Sequence, residues 1–166
     1  MGARTALKRL IAEKVPKEKR PQHFHWNWAR KALRLSLLAY RGFGIECDGQ
    51  WQGLMLTLTE GHAARLSPDT GKPLVYIDFI EAAPWNVVPL SKSVRYRGIG
   101  VQLFQAAVRQ SVDEGFHGRV GLHALRDAEE FYQKRGMVSL GADATYQNLH
   151  YFELSVASAQ TFLARR

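Results

Sequence analysis

A single cysteine, Cys47, stands among 166 residues. One thiol excludes an intramolecular disulfide framework and any cysteine-built zinc site. Long hydrophobic runs are missing too: the most apolar stretches, such as Leu74 to Ile80, are far too short to span a bilayer. The N-terminus is studded with Lys and Arg but has no apolar core segment, so a secretory signal is not expected. No internal repeat or low-complexity tract is present. The six histidines show no metal-ligand spacing except the close pair His23 and His25, which flank Phe24 where a helix is expected to begin, so no metal is expected. These absences favour a cytoplasmic, non-membrane protein. With 46% apolar and 23% charged residues, the chain reads as a globular domain long enough to bury a core.

Acidic residues are scarce in one part of the chain. Residues 1–41 hold eleven Lys/Arg against Glu13 and Glu18, whereas residues 42–166 hold twelve Lys/Arg against thirteen Asp/Glu. The net charge of +8 therefore sits in the first quarter. Such a concentration reads either as a solvated helical surface or as a patch for an anionic partner, RNA or another polyanion.

Hydrophobic periodicity predicts a short amphipathic helix over 3–14 and a linker from Pro16 to Pro21. A second helix is expected over 25–40, with Trp26, Ala29, Leu33, Leu37 and Tyr40 as its apolar stripe and Arg30, Lys31 and Arg34 away from it. Two strands, 42–47 and 51–59, flank Asp48-Gly49, a pair suited to the positive φ angles of a tight hairpin turn. Residues 74–80 are β-branched and aromatic enough for a central strand. A helix then opens at about 98, with Val101, Phe104, Val108, Ser111 and Val112 on one face and Gly115 as its stop. A strand over 119–123, a helix over 127–135 closed by Gly136, and strands near 137–141 and 149–156 complete an α/β order with a mixed sheet. The basic helix and linker, 1–21, precede a domain spanning 22–166.

The segment from 74 to 114 carries chemistry. Gly98 and Gly100 allow a tight turn that exposes successive N–H groups at a helix N-terminus, where the helix dipole favours a phosphate or pyrophosphate. Arg95 and Arg97 add positive charge at the same place. The spacing is not Gly-x-Gly-x-x-Gly, so a dinucleotide-binding Rossmann unit is excluded.

Arg95-x-x-Gly98-x-Gly100 resembles the acyl-CoA pyrophosphate loop of the GNAT (N-acetyltransferase) superfamily. Ala128-x-x-Phe131-Tyr132-x-x-x-Gly136-Met137 is similar to the second signature of the same superfamily. The two motifs come in the right order with a strand between them, and the resemblance spans about 42–156. It implies a single-domain α/β fold: a mixed, mostly antiparallel twisted sheet flanked by helices. It also implies acetyl-CoA as co-substrate, held by Arg95, Arg97, Gly98, Ile99, Gly100 and Val101, and an amine acceptor of unspecified identity. In such an enzyme the amine attacks the thioester directly in a ternary complex. Tyr132 would protonate the departing thiolate, and a carboxylate on the central strand would take the amine's proton. Dimers are common in the family, so a homodimer is among the expectations.

Glu81 and Asp78 are the carboxylates in question. Three apart on a regular strand, they are expected on opposite faces, with Glu81 ranked first because it lies nearer the strand end. His123 is an alternative base or acceptor contact. Trp85 and Asn86 either line the acceptor pocket or, for Trp85, plug the core. Three departures from the family pattern stand out: Leu125 replaces a frequent Asn, residues 84–93 look inserted, and no strand is evident before the helices. The alternatives are a nucleic-acid-associated acceptor, such as an aminoacyl-tRNA or a ribosomal protein in a toxin-like enzyme, and a catalytically idle acyl-CoA sensor.

Overall fold

The computed structural model describes residues 27–87 and 94–164. The expected helix over 3–14, the linker and most of the basic first quarter lie outside the described residues, as do 88–93 of the inserted loop. Within the described residues the order is α1 (Trp28–Ala32), β1 (Tyr40–Cys47), β2 (Gln50–Leu58), β3 (Val75–Ala82), α2 (Ile99–Asp113), β4 (Val120–Ala124), α3 (Glu129–Gln133), β5 (Val138–Asp143), β6 (Leu149–Leu154) and α4 (Val156–Ala164). No helix among them is long and apolar enough to cross a membrane.

Six strands form one sheet in the order β1-β2-β3-β4-β6-β5. Every pairing is antiparallel except β3 with β4, which the α2 crossover makes parallel. The β1–β2 hairpin turns at Asp48 and Gly49, with φ of 52° and 70°, as the Asp-Gly signal requires. The main core lies between α2 and one face of the sheet. Leu103, Phe104, Ala107 and Val108 of α2 pack there against Val75 and Ile77 of β3, Leu122 of β4 and Phe152 and Leu154 of β6. Burying each such large side chain contributes about 1.5–3 kcal/mol. A smaller cluster of Ala64, Leu74, Tyr76 and Tyr151 covers the opposite face.

The end of α2 follows its expected punctuation: Gly115, at φ 75°, donates its N–H to the Val112 carbonyl at 3.0 Å. Val112, however, is exposed, and Leu103 and Ala107 take its place in the core. The 25–40 helix is corrected. Of its described residues only Trp28–Ala32 are α-helical; a 3₁₀ turn over Leu33–Ser36 follows, and Tyr40 already belongs to β1. Leu33 and Leu37, expected to face the sheet, are 72% and 56% exposed. Lys31 and Arg34, expected to point away, reach the sheet instead, because β3 presents acidic groups there. The last strand is shorter than expected and ends at Leu154. Ser155 then accepts a hydrogen bond from the Ser158 N–H and opens α4, a helix absent from the sequence reading.

Candidate active site

The site is an opening in the sheet. Cα pairing between β3 and β4 runs from Val75–Val120 to Ile77–Leu122 and stops, although β3 continues to Ala82. Beyond Ile77 no Cα pairing joins β3 to β4 among the described residues, and this end of the pairing is the opening. A bulge sits at the same level: Thr57 opposes Ile77 while Leu56 opposes Phe79, leaving Asp78 as the extra residue.

The N-terminus of α2 closes one end of this opening. Gly98 caps the helix at φ 80° and ψ 1°, a left-handed conformation that favours glycine. The first intrahelical bond, from Gln102 N–H to the Gly98 carbonyl at 3.0 Å, leaves the N–H groups of Ile99, Gly100 and Val101 without partners inside the helix. Among the described residues nothing lies within 4 Å of where a Gly98 Cβ would be. A Cβ on Gly100 would instead come within 3.3 Å of the Phe131 ring. Ile99 points into the core, close to Gly53. Arg97 is exposed, while Arg95 leans towards the hairpin turn, with Nη2 3.2 Å from Asp48 and Nη1 3.3 Å from the Gln50 side chain.

A buried glutamine secures this loop. The Gln52 side-chain oxygen accepts from Trp85 Nε1 at 2.8 Å and from Asn86 Nδ2 at 2.9 Å, and the Asn86 oxygen accepts the Tyr96 N–H at 2.9 Å. The Arg95 N–H reaches the Trp85 carbonyl at 3.3 Å, so the inserted residues leave and return at one point. Trp85 and Asn86 therefore clamp the loop to β2. Gln52 was not anticipated, because its partners lie more than thirty positions away in the chain.

Tyr132 of α3 is 5% exposed and packs among Phe104, Phe131 and Phe152, on the α2 face of the sheet. Burial pushes its phenol well above the ordinary tyrosine value, so it keeps its proton at neutral pH.

Glu81 and Asp78 lie on the other face, and on the same one. Two side chains of the α1 segment meet them: Trp28 Nε1 donates to Glu81 Oε2, and Arg34 Nη1 donates to Asp78 Oδ2. The expected opposition fails because the bulge at Asp78 shifts the alternation by one residue. Glu81 is the more buried, and burial raises its pKa against the opposing pull of the Trp28 bond and the Lys31 charge. Between them, Lys31 Nζ sits over the Phe79 ring, 2.8 Å from its centre.

His123 belongs to a hydrogen-bonded chain on this face. Its Nδ1 is 2.7 Å from the Tyr76 hydroxyl and its Nε2 is 3.2 Å from Asp143 Oδ2, while Tyr146 stacks on the ring at 3.8 Å. With Asp143 accepting from Nε2–H, Nδ1 accepts the Tyr76 proton. Arg65 also pairs with Asp143 at 2.9 Å, and bonds from Thr145 and then Arg65 hold that carboxyl below its usual range. Burial lowers the His123 value despite Asp143. Tyr76 and Asp143 carried no signal in the sequence, being joined to His123 only through strand pairing.

A scan against protein-family models gives no match, and a search of curated protein sequences gives none either. Solved structures do match over most of the chain. One is a putative acetyltransferase of the GNAT family from Desulfovibrio desulfuricans, with a TM-score of 0.56 and 14% identity over 92% of this chain and 91% of that one. The chain has the GNAT fold. The Bacillus subtilis N-acetyltransferase YlbP in complex with coenzyme A shares this GNAT fold at a TM-score of 0.50, with 11% identity over 90% of this chain and 89% of that one. A mutant AtaT toxin bound to the C-terminus of the antitoxin AtaR matches at a TM-score of 0.56, with 14% identity over 87% and 82% of the two chains. These likenesses are of fold.

Proposed function

We propose that the protein transfers an acetyl or similar acyl group from its CoA thioester to an amine, by direct attack in a ternary complex. The observation that carries this reading is the end of β3–β4 pairing at Ile77 together with the left-handed Gly98 cap that opens α2. The N–H groups of Ile99, Gly100 and Val101, with Arg97 and Arg95 nearby, hold the pyrophosphate. The part of β3 beyond its pairing with β4 hydrogen-bonds the pantetheine arm, much as a further strand would.

The thioester then lies in the opening with different groups on its two sides. Tyr132, on the α2 face, protonates the departing thiolate; a phenol that stays protonated at neutral pH suits that role. Glu81, on the opposite face, takes the proton from the acceptor ammonium, directly or through water. Its raised value brings it closer to that of an amine, and Trp28 fixes its direction. Asp78, paired with Arg34, is placed second.

Purified protein incubated with isotopically labelled acetyl-CoA and a panel of amines, peptides and cell extract tests the reading. Label in an amide product, with release of free CoA, is the expected result. Tight binding with no CoA release from any mixture would make the chain an acyl-CoA sensor.

A second reading keeps the same chemistry but places the amine on a nucleic-acid-associated acceptor. The charge excess in residues 1–41 favours it, and one protein of similar fold is a toxin. Activity on such an acceptor should fall steeply with salt, because each phosphate contact releases counterions. Activity indifferent to salt would leave the basic segment as a solvated face.

A further inference from the structure

We propose that the apolar strip of Leu33, Leu35, Leu37, Leu38 and Trp51 is a docking surface for an acidic amphipathic segment of another protein. The inference goes beyond acyl transfer and does not depend on it.

Its basis is the edge of the sheet. β1 is an edge strand, and among the described residues it pairs only with β2. Phe43 and Ile45 of β1 pack on the main core, so Gly42 and Gly44 between and beside them face the other way. Two large apolar side chains lie over these glycines. A Cβ on Gly42 would meet the Leu35 methyls at 3.1 and 3.3 Å, and one on Gly44 would meet the Trp51 ring at 2.5 Å. Both covering side chains are themselves exposed, Trp51 by 56%. Leu33, Leu37 and the fully exposed Leu38 stand in the turn that leads into the same strand. Four exposed leucines within six positions, ending on an exposed tryptophan, form more than the scattered apolar surface that a soluble protein tolerates. The turn shows leucines because its cationic side chains went inward: Arg34 donates to Asp78 on β3.

The charge around the strip selects the partner. Residues 27–45 carry Arg30, Lys31, Arg34 and Arg41 and no acid. Arg34 is paired with Asp78, and Arg41 with Glu114 at 3.2 Å, while Arg30 is exposed one turn before Leu33. Residues 1–26 add seven Lys/Arg against two Glu. A second copy would bring the same positive excess, and so would the chain's own N-terminal segment; like charge disfavours both as occupants. RNA would answer the cations but offers the leucines no aliphatic counterpart. A segment with leucine-like side chains on one face and Asp or Glu on the other answers both. Trp51 and Arg30 are of the residue types that carry most binding energy at such surfaces.

The test uses the full chain and two synthetic helical peptides of about five turns, with the same leucine stripe. One carries glutamate on its polar face and the other lysine. Fluorescence anisotropy should show the glutamate peptide binding, less tightly as salt rises, and the lysine peptide binding at least about tenfold more weakly. Leu37→Ser with Leu38→Ser should weaken the glutamate peptide by roughly tenfold or more. Both positions are exposed, so the melting temperature and the affinity for acetyl-CoA should stay at wild-type values. Arg30→Glu should weaken the glutamate peptide and strengthen the lysine peptide.

Equal binding of the two peptides would reduce the strip to unselective apolar surface and overturn the inference. Failure of the glutamate peptide to bind at about 1 mM would overturn it as well. So would glutamate-peptide binding that the leucine substitutions leave unchanged. Sedimentation showing a dimer that Leu38→Ser dissociates would make a second copy the occupant, and an RNA oligonucleotide released by the leucine substitutions would make it nucleic acid; either contradicts the proposal. None of these results bears on acyl transfer, which the labelled acetyl-CoA assay reads separately.

Discussion

Replacing Gly98 with alanine asks whether this turn is both strained and functional. At φ 80° an L-residue costs about 1–2 kcal/mol. The added methyl meets nothing within 4 Å among the described residues, so no packing gain or clash with them alters that figure. For a chain of this size each kcal/mol shifts Tm by about 2–4 °C, so Gly98→Ala should melt about 2–8 °C below wild type. Gly100→Ala is the contrast. Gly100 is helical, so alanine gains up to about 1 kcal/mol of propensity against pressure on Phe131 at 3.3 Å, and Tm should move by only a few degrees either way. Acetyl-CoA at about 100 times its Kd stabilises the native state by roughly 2.7 kcal/mol, or about 5–11 °C here. Under the proposed function the Gly98 methyl would project into the phosphate site, so this ligand-induced shift should shrink in Gly98→Ala by about 3–5 °C for each tenfold loss of affinity. Thermal unfolding with and without acetyl-CoA reads both quantities. A Gly98→Ala protein that melts at or above wild type, or gains the full shift with ligand, refutes the reasoning.

Tyr132→Phe keeps the buried ring and should leave Tm within a few degrees, while steady-state kinetics show kcat lowered roughly 10²–10⁴-fold. Glu81→Gln should lower kcat/KM for the amine. It should also change stability with a definite sign: a carboxyl whose folded value is raised contributes stability at low pH that is lost as pH rises through that value, so the Tm of the variant relative to wild type should increase from pH 4 to pH 8. Asp78→Asn should matter less to kcat/KM than Glu81→Gln. Glu153 is fully buried and accepts the Arg65 and Leu66 N–H groups at 2.7 and 3.1 Å, so Glu153→Ala should cost about 1–3 kcal/mol per unmet donor and unfold at a clearly lower temperature by calorimetry.

Local chemistry was legible in the sequence. Asp48-Gly49 turns the hairpin, Gly115 stops α2, and Gly98 caps it at positive φ, because each depends on a few adjacent residues. The bulge at Asp78 was not legible: it arises from the register between β2 and β3, and it moved Glu81 onto the face of Asp78. The α1 stripe misled for a related reason. Hydrophobic periodicity assumes an apolar surface to pack on, but β3 offered two carboxylates and drew Lys31, Arg34 and the Trp28 indole inward. The Tyr76–His123–Asp143 chain needed four strands, β3, β4, β6 and β5, in register before its members could meet. The α4 helix was missed because Leu149 to Val156 reads as one β-branched and aromatic run, with only Ser155 marking the change.

Hydrogen exchange of the backbone amides, with and without acetyl-CoA, tests the central claim most directly. The account predicts slowed exchange at Ile99, Gly100 and Val101, whose N–H groups have no partner inside the helix and would meet the pyrophosphate, and along 78–82, where β3 beyond its pairing with β4 would meet the pantetheine arm. Ligand-induced protection confined to other elements, or no protection at saturating acetyl-CoA, would contradict it.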